Sequence, residues 1–378
     1  MDDVQSQETT KKKRNVKKII LYTLFILFNI AVICYTAVDA FAGKPTEKIG
    51  IRYGWRNIGA FSLGVGAFVV LLAAETTKYY LMMHYLGEKK SWKNAFQVVA
   101  LGKYYDAMTP TGAGGQPFQI WFLHSRGYSS GASAAMPLAG FMGMQFAFLI
   151  LAIFFFIVRG YVMTISAIKA TAMVGLLFYA IVPCLILLFI IAPAATKKIV
   201  HFFIWLGAKL HIVKHPEERE EKAVKSLEDY RQSLLVITKH KRLVILLMLL
   251  SLVYQLALCS IPYFILHGYG GKTTYFDVLT MTLYIYAAIT IIPTPGNSGV
   301  AEASFYLVFS ILNTAGVFWA MLVWRFGTYY IFIIIGLAIF GYNAAMSKKE
   351  RKELKALEEE SDMPTSPVTA EERDHEKT

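Results

Sequence analysis

At 378 residues, 56% hydrophobic and only 17% charged, with a mean hydropathy of +0.46, the chain carries too much apolar surface for an ordinary soluble domain. It reads as an all-α polytopic membrane protein. The formal net charge of +12 does not point to nucleic acid, because the basic residues sit beside apolar runs instead of forming one basic domain; they read as topology signals and contacts with anionic lipid.

In residues 1–18, a basic cytoplasmic segment, Lys11, Lys12, Lys13, Arg14, Lys17 and Lys18 precede the apolar run 19–41. At about 20 residues that run is long enough to cross a bilayer and too long for a signal-peptide core, so an uncleaved anchor is expected. Residues 43–57 form a short external loop. The second span, 58–82, returns to a cytoplasmic segment with Lys89, Lys90, Lys93 and Lys103. Within it Glu75 and Lys78 share one helical face and are expected to pair near the interface, their long side chains reaching water. Ser62 and Gly66 are small residues one turn apart, a packing signal.

Between Tyr104 and Arg126 the helical pattern breaks. Pro110, Gly112, Gly114, Gly115 and Pro117 cluster there, flanked by apolar arms at 94–107 and 118–123 that are each too short to span. Such arms around a glycine turn describe a re-entrant hairpin, tolerated at membrane depth where protein or water satisfies the freed backbone. The arm that starts near Gln116 offers unpaired amides and a positive dipole end, with Lys103, His124 and Arg126 as side-chain donors, so an anionic headgroup is the natural guest.

Residues 132–158 form the third span, with Ala139 and Gly143 as small contacts and Gln145 as a buried polar group. Residues 171–195 span back, with a kink expected at Pro183. The basic segment 196–242 is cytoplasmic, and its first part, 199–212, reads as an interfacial amphipathic helix. His201, His211, His215 and His240 lack metal-ligand spacing, and Cys34, Cys184 and Cys259 read as buried apolar thiols. The fifth span covers 243–266. A short external turn leads to 276–292, which ends at Pro293, Thr294, Pro295 and Gly296 before 300–312 leads away again. The last span, 316–345, is followed by Lys348, Lys349, Arg351, Lys352 and Lys355, and residues 348–378 form a charged, partly disordered tail.

The two breaks share a Thr-Pro start and closely spaced glycines, Gly112, Gly114 and Gly115 against Gly296 and Gly299, on hairpins expected to enter from opposite sides. This resembles an inverted repeat around a central site. Glu302, just after the second turn, and Arg325, deep in the last span, are costly charges there unless each faces a partner or a wet cavity. They are expected either to lock the hairpin to the last span or to serve cargo, Arg325 drawing a lipid phosphate and Glu302 a cationic group or a proton.

The residues Tyr105, Asp106, Thr109 and Pro110, then Gly114, Gly115, Gln116 and Gln119, then Pro293, Pro295, Gly296, Gly299 and Glu302, and finally Arg325, resemble the lysylphosphatidylglycerol synthase transmembrane-region family. This is the flippase-like membrane domain of multiple peptide resistance factor. The resemblance runs over residues 17–347 and implies a membrane domain, 19–347, that moves lipids, aminoacylated phosphatidylglycerol being the best-known cargo. Two-domain relatives carry a soluble transferase after this region; about 30 residues follow the last span here, too few for such a domain. The family also implies a role in lipid modification and cationic-peptide resistance, acting with a separate synthase.

The expected architecture is therefore about six full spans plus two re-entrant hairpins, with both termini cytoplasmic at the cell membrane. The expected activity is translocation of an anionic or aminoacylated phospholipid, such as lysyl-phosphatidylglycerol, or of a polyprenyl-linked lipid. Gly112, Gly114, Gly115 and Gln116 would cradle the headgroup, with Arg126 and Arg325 at its phosphate. Expected partners are membrane lipids, a separate lipid synthase and a second copy of the chain. No cofactor, metal or nucleic acid is expected, since no nucleophile elbow, Walker loop or metal cluster is present.

Overall fold

The computed structural model describes residues 34, 35, 38, 54–109, 112, 114–209, 216–292, 294, 296–312, 316–343 and 345. The first expected span lies outside them, apart from helical Cys34, Tyr35 and Val38, as do the basic amino-terminal segment and the tail. Among the described residues every regular element is helical.

Helix α1 (Trp55–Tyr85) is joined by a short turn to α2 (Trp92–Met108), whose start is fixed by Ser91 Oγ accepting from the Asn94 amide at 3.2 Å. Helix α2 stops at Thr109, which is extended, as a residue before proline must be. After the turn comes α3 (Gly115–Ser125). Ser129 caps α4 (Ser130–Arg159), a 3₁₀ turn follows, and α5 (Ser166–Ile191) leads into α6 (Pro193–Lys209). The chain continues with α7 (Pro216–Thr238), α8 (Lys241–Gly268), α9 (Tyr275–Ile289), α10 (Val300–Ser310) and α11 (Val317–Arg325). A π turn, Phe326–Tyr330, carries α11 onward, the whole helix reaching Asn343.

Five of these helices are long and apolar enough to cross a membrane: Trp55–Tyr85, Ser130–Val162, Ser166–Leu185, Lys241–Gly268 and Val317–Asn343. They overlap the second to sixth expected spans, the fourth lying earlier than expected, since its helix ends at Ile191 and a new one begins at Pro193. The arms of both breaks, α2 and α3, then α9 and α10, are shorter, as the pattern implied.

The core forms around α1 laid along α8, with α4 beside both and α9 against α5. Close approach is bought by small residues. A Cβ on Gly64 would lie 3.5 Å from the Phe264 Cβ, and Ala60, one turn earlier, is buried with it. This corrects the expected pair: Gly66 has open space around it and Ser62 is exposed, because the pairing face of α1 is turned two residues away. Gly143 does serve as a small contact, with Ser251 Oγ filling the space a Cβ would take. Two of the three cysteines are also corrected. Cys259 is buried, whereas Cys34 and Cys184 are exposed, since an apolar run does not tell the lipid-facing side from the protein-facing one.

Within the basic segment 196–242 the described residues are largely helical. His201 meets Glu220 at 2.9 Å, tying α6 to α7, and Leu234 and Ile237 at the end of α7 enter the core beside α4 and α8. Among the described residues no group of histidine, cysteine, aspartate or glutamate is placed to hold a metal.

Candidate functional site

The two breaks meet. The Gly296 amide donates to Thr109 O at 3.4 Å, and the Tyr329 hydroxyl, from the π turn, donates to Ala107 O at 3.1 Å. These bonds satisfy carbonyls that α2 leaves orphaned at its end. Gly296 is required there twice over: its φ is +55°, and a Cβ would run into the Tyr329 ring and lie 3.1 Å from Ala107 O.

In the first break, Asp106 accepts from the Gly115 amide at 2.9 Å, and Thr109 Oγ1 accepts from the Gly114 amide at 2.9 Å while donating to Tyr105 O at 2.8 Å. Thr109 O also receives the Gly112 amide at 3.2 Å, Gly112 having a φ of +65°. A side chain of α2 and one just past its end thus cap the positive end of α3. The packing admits only glycine at its tightest points: a Cβ on Gly115 would strike Asp106, and one on Gly102 would strike Gln119, which donates to Val98 O at 3.2 Å. Gln116 lies in the first turn of α3, and Tyr105 stacks on Phe118 with ring centroids 4.0 Å apart.

The second break is built around an ion pair. Arg325 Nε donates to Glu302 Oε1 at 2.6 Å and Nη2 to Gly296 O at 2.8 Å, with the guanidinium 4.3 Å from the Tyr329 ring centroid. Glu302 also accepts from Ser298 Oγ at 3.2 Å and, through Oε2, from the Gly299 amide at 2.6 Å. Both charges are buried and both are met by hydrogen bonds, the condition under which a buried pair is tolerated.

Three expected site residues, Pro110, Pro293 and Pro295, lie outside the described residues. The others gather at the two turns, with one exception. Arg126 stands at the far end of α3, about 16 Å along the helix from Gly115. There it donates to Gln97 at 3.3 Å and Asn343 at 3.1 Å and lies over Phe122. Arg126 thus stands apart from the other expected site residues: eleven residues of regular α3 separate it from the turn.

A second group of charges adjoins the first break. Glu75 and Lys78 form the expected pair at 2.7 Å, but both are buried, not at an interface, and Lys78 donates to Ser251 Oγ at 3.1 Å. Facing them from α2 are Lys103 and Asp106. Lys103 lies over the Tyr254 ring of α8 at 5.2 Å and interacts electrostatically with Asp106 and Glu75. Sequence reasoning gave Lys103 to the cytoplasmic flank as well as to the donors and did not join these four. The available signal was their spacing, two opposite-charge pairs three residues apart on consecutive antiparallel helices.

The sequence profile described as Lysylphosphatidylglycerol synthase TM region matches residues 17–336 of the chain. The protein belongs to this family. A UPF0104 membrane protein of Archaeoglobus fulgidus is 26% identical over 338 residues, covering 86% of this chain and 99% of that protein. The family match spans both breaks, the charged quartet and Arg325, so the whole site lies within it.

Proposed function

We propose that this member of the lysylphosphatidylglycerol synthase TM region family is an integral membrane lipid translocase working by alternating access. The observation that supports it most is the meeting of two interrupted helices, Gly296 to Thr109 and Tyr329 to Ala107, with the amide end of α3 beside them. In this reading α2 and α3 enter the membrane from the cytoplasm and α9 and α10 from outside. Irregular backbone is then confined to a protein-lined site near mid-membrane, where transporters hold cargo. The cargo is an anionic or aminoacylated phospholipid, such as lysyl-phosphatidylglycerol, or a polyprenyl-linked lipid. No nucleotide loop accompanies the site, so movement is facilitated or ion-coupled.

Purified protein in liposomes containing fluorescent headgroup-labelled phosphatidylglycerol tests this. Wild type is expected to bring inner-leaflet lipid to an outer-leaflet quencher, and Gly115→Leu to abolish that movement. Equal rates in wild type, Gly115→Leu and empty vesicles would sink the proposal. The membrane orientation is checked in cells on a background lacking Cys34, Cys184 and Cys259: Lys272→Cys should react with an impermeant maleimide from outside and Lys225→Cys only after permeabilisation.

A further inference from the structure

Glu75, Lys78, Lys103 and Asp106 form one charged quartet in which two ammonium groups balance two carboxylates. Glu75 and Lys78 are sealed, at 7% and 0% exposure, while Lys103 and Asp106 are half-buried and so form its open side. Glu75 Oε2 lies 2.7 Å from Lys78 Nζ yet receives no aligned hydrogen bond among the described residues. Asp106 occupies the Gly115 amide at 2.9 Å, a donor that an incoming oxyanion would need.

The quartet is neutral as it stands, so a phosphodiester entering beside Lys103 and the α3 amides adds one uncompensated negative charge in a medium of low dielectric. One proton on Asp106 restores neutrality and frees the Gly115 amide at the same time. The Glu302 and Arg325 pair offers no such exchange, since both oxygens of Glu302 are already held, by Ser298, the Gly299 amide and Arg325.

We infer that the quartet is a phosphodiester subsite for a lipid headgroup, with Lys103 and the α3 N-terminus as its anion ligands, and that each anion is taken up together with one proton on Asp106. This rests on the lipid-translocase reading and specifies its coupling. The proton comes from water on the side that delivers the lipid, binds a carboxylate oxygen of Asp106, and breaks no covalent bond. The groups facing Asp106 are Lys103 on its own helix, Glu75 and Tyr79 from α1, the Gly115 amide from α3 and Tyr254 from α8, while Lys78 faces Glu75 and Lys103. Tyr179 from α5 faces Lys103 and Tyr254.

Binding of dihexanoylphosphatidylglycerol to the full-length protein in an uncharged detergent tests the linkage, because a phosphodiester has no titration of its own near neutral pH. Affinity is expected to be highest at low pH and to fall about tenfold per pH unit once Asp106 ionises, with one proton taken up per lipid by indicator dye. In Asp106→Asn the affinity should no longer vary with pH, and Asp106→Glu should restore the dependence. Lys103→Gln should weaken binding at least tenfold in protein that remains folded. The inference is overturned by pH-independent binding in wild type, by an unchanged slope in Asp106→Asn, or by absence of saturable binding. Dimethyl phosphate, the same anion without tails, should bind at least tenfold more weakly; equal affinity would assign the subsite to a free phosphodiester and overturn the lipid assignment. Liposome translocation is read in parallel. Proton-linked binding without lipid movement would sink the translocase reading and leave the subsite, whereas movement with pH-independent binding would do the reverse.

Discussion

In the first break the carboxylate at the helix end, Asp106, comes from the preceding helix and holds the Gly115 amide at 2.9 Å; in the second, Glu302 belongs to the helix it caps and is also gripped by Arg325 at 2.6 Å. Asp106 keeps partial exposure and has Lys103 beside it as a neighbouring charge, while Glu302 is 2% exposed and tied by Ser298, Gly299 and Arg325. Two turns with similar glycine spacing thus differ in how firmly their charges are fixed. One is fastened to the last span, and the other can exchange its cap for a ligand.

The sharpest way to break this comparison is Arg325→Met, which strands a buried carboxylate and should cost about 3–5 kcal/mol of stability, seen as a large drop in melting temperature in detergent. The double variant Arg325→Met with Glu302→Gln should recover most of that loss. A single variant as stable as wild type would show that the second break is not fastened by this pair. Next comes Gly296→Ala, whose added carbon meets the Tyr329 ring and Ala107 O in a left-handed conformation; a loss of roughly 1–3 kcal/mol is expected from overpacking. No loss would mean that the two turns are not held as close as the Gly296 bond to Thr109 requires.

Asp106→Asn should be milder, about 1 kcal/mol or less, because a neutral amide oxygen still caps the α3 end. Should Asp106→Asn prove as damaging as the loss of Arg325, the contrast between a releasable and a fixed cap would fail. The smallest effect belongs to Arg126→Ala. Away from the turn and itself exposed, it should change stability by less than about 0.5 kcal/mol and lipid movement by less than about twofold. A loss of transport there would return Arg126 to the site.

Much of the fold was legible because it is written in long apolar periods and in proline and glycine, which act locally. The described spans, both breaks and their short arms follow from that grammar alone. What did not follow were choices made by tertiary packing. Whether Ala60 and Gly64 or Ser62 and Gly66 face α8 depends on helix rotation, which small residues at both spacings leave undetermined. The depth of Glu75 and Lys78 was misjudged because long side chains near a span end usually reach water, whereas here α2 and α8 close over them. Lys103 was divided between flank and site for the same reason: a lysine in a short arm looks like a topology signal until the arm folds back against α1. Arg126 is the opposite case, near the turn in sequence yet held away from it by a regular helix.

The π turn at Phe326–Tyr330 sets the phase of the last span. Its extra residue per turn means that the segment before it, carrying Arg325, and the segment after it, carrying Gly336 against the Tyr104 ring and Asn343 against Arg126, do not lie on one continuous α-helical stripe. The same helix can therefore face two partners, the second break above and α2 with α3 below, that a uniform helix would not serve at once. Deleting Gly327, around which there is open space, would restore the uniform period and swing the lower segment by about 100°. The span would then have to surrender either its hold on Glu302 or its seat against Tyr104, which makes this turn the clutch between the two halves of the molecule.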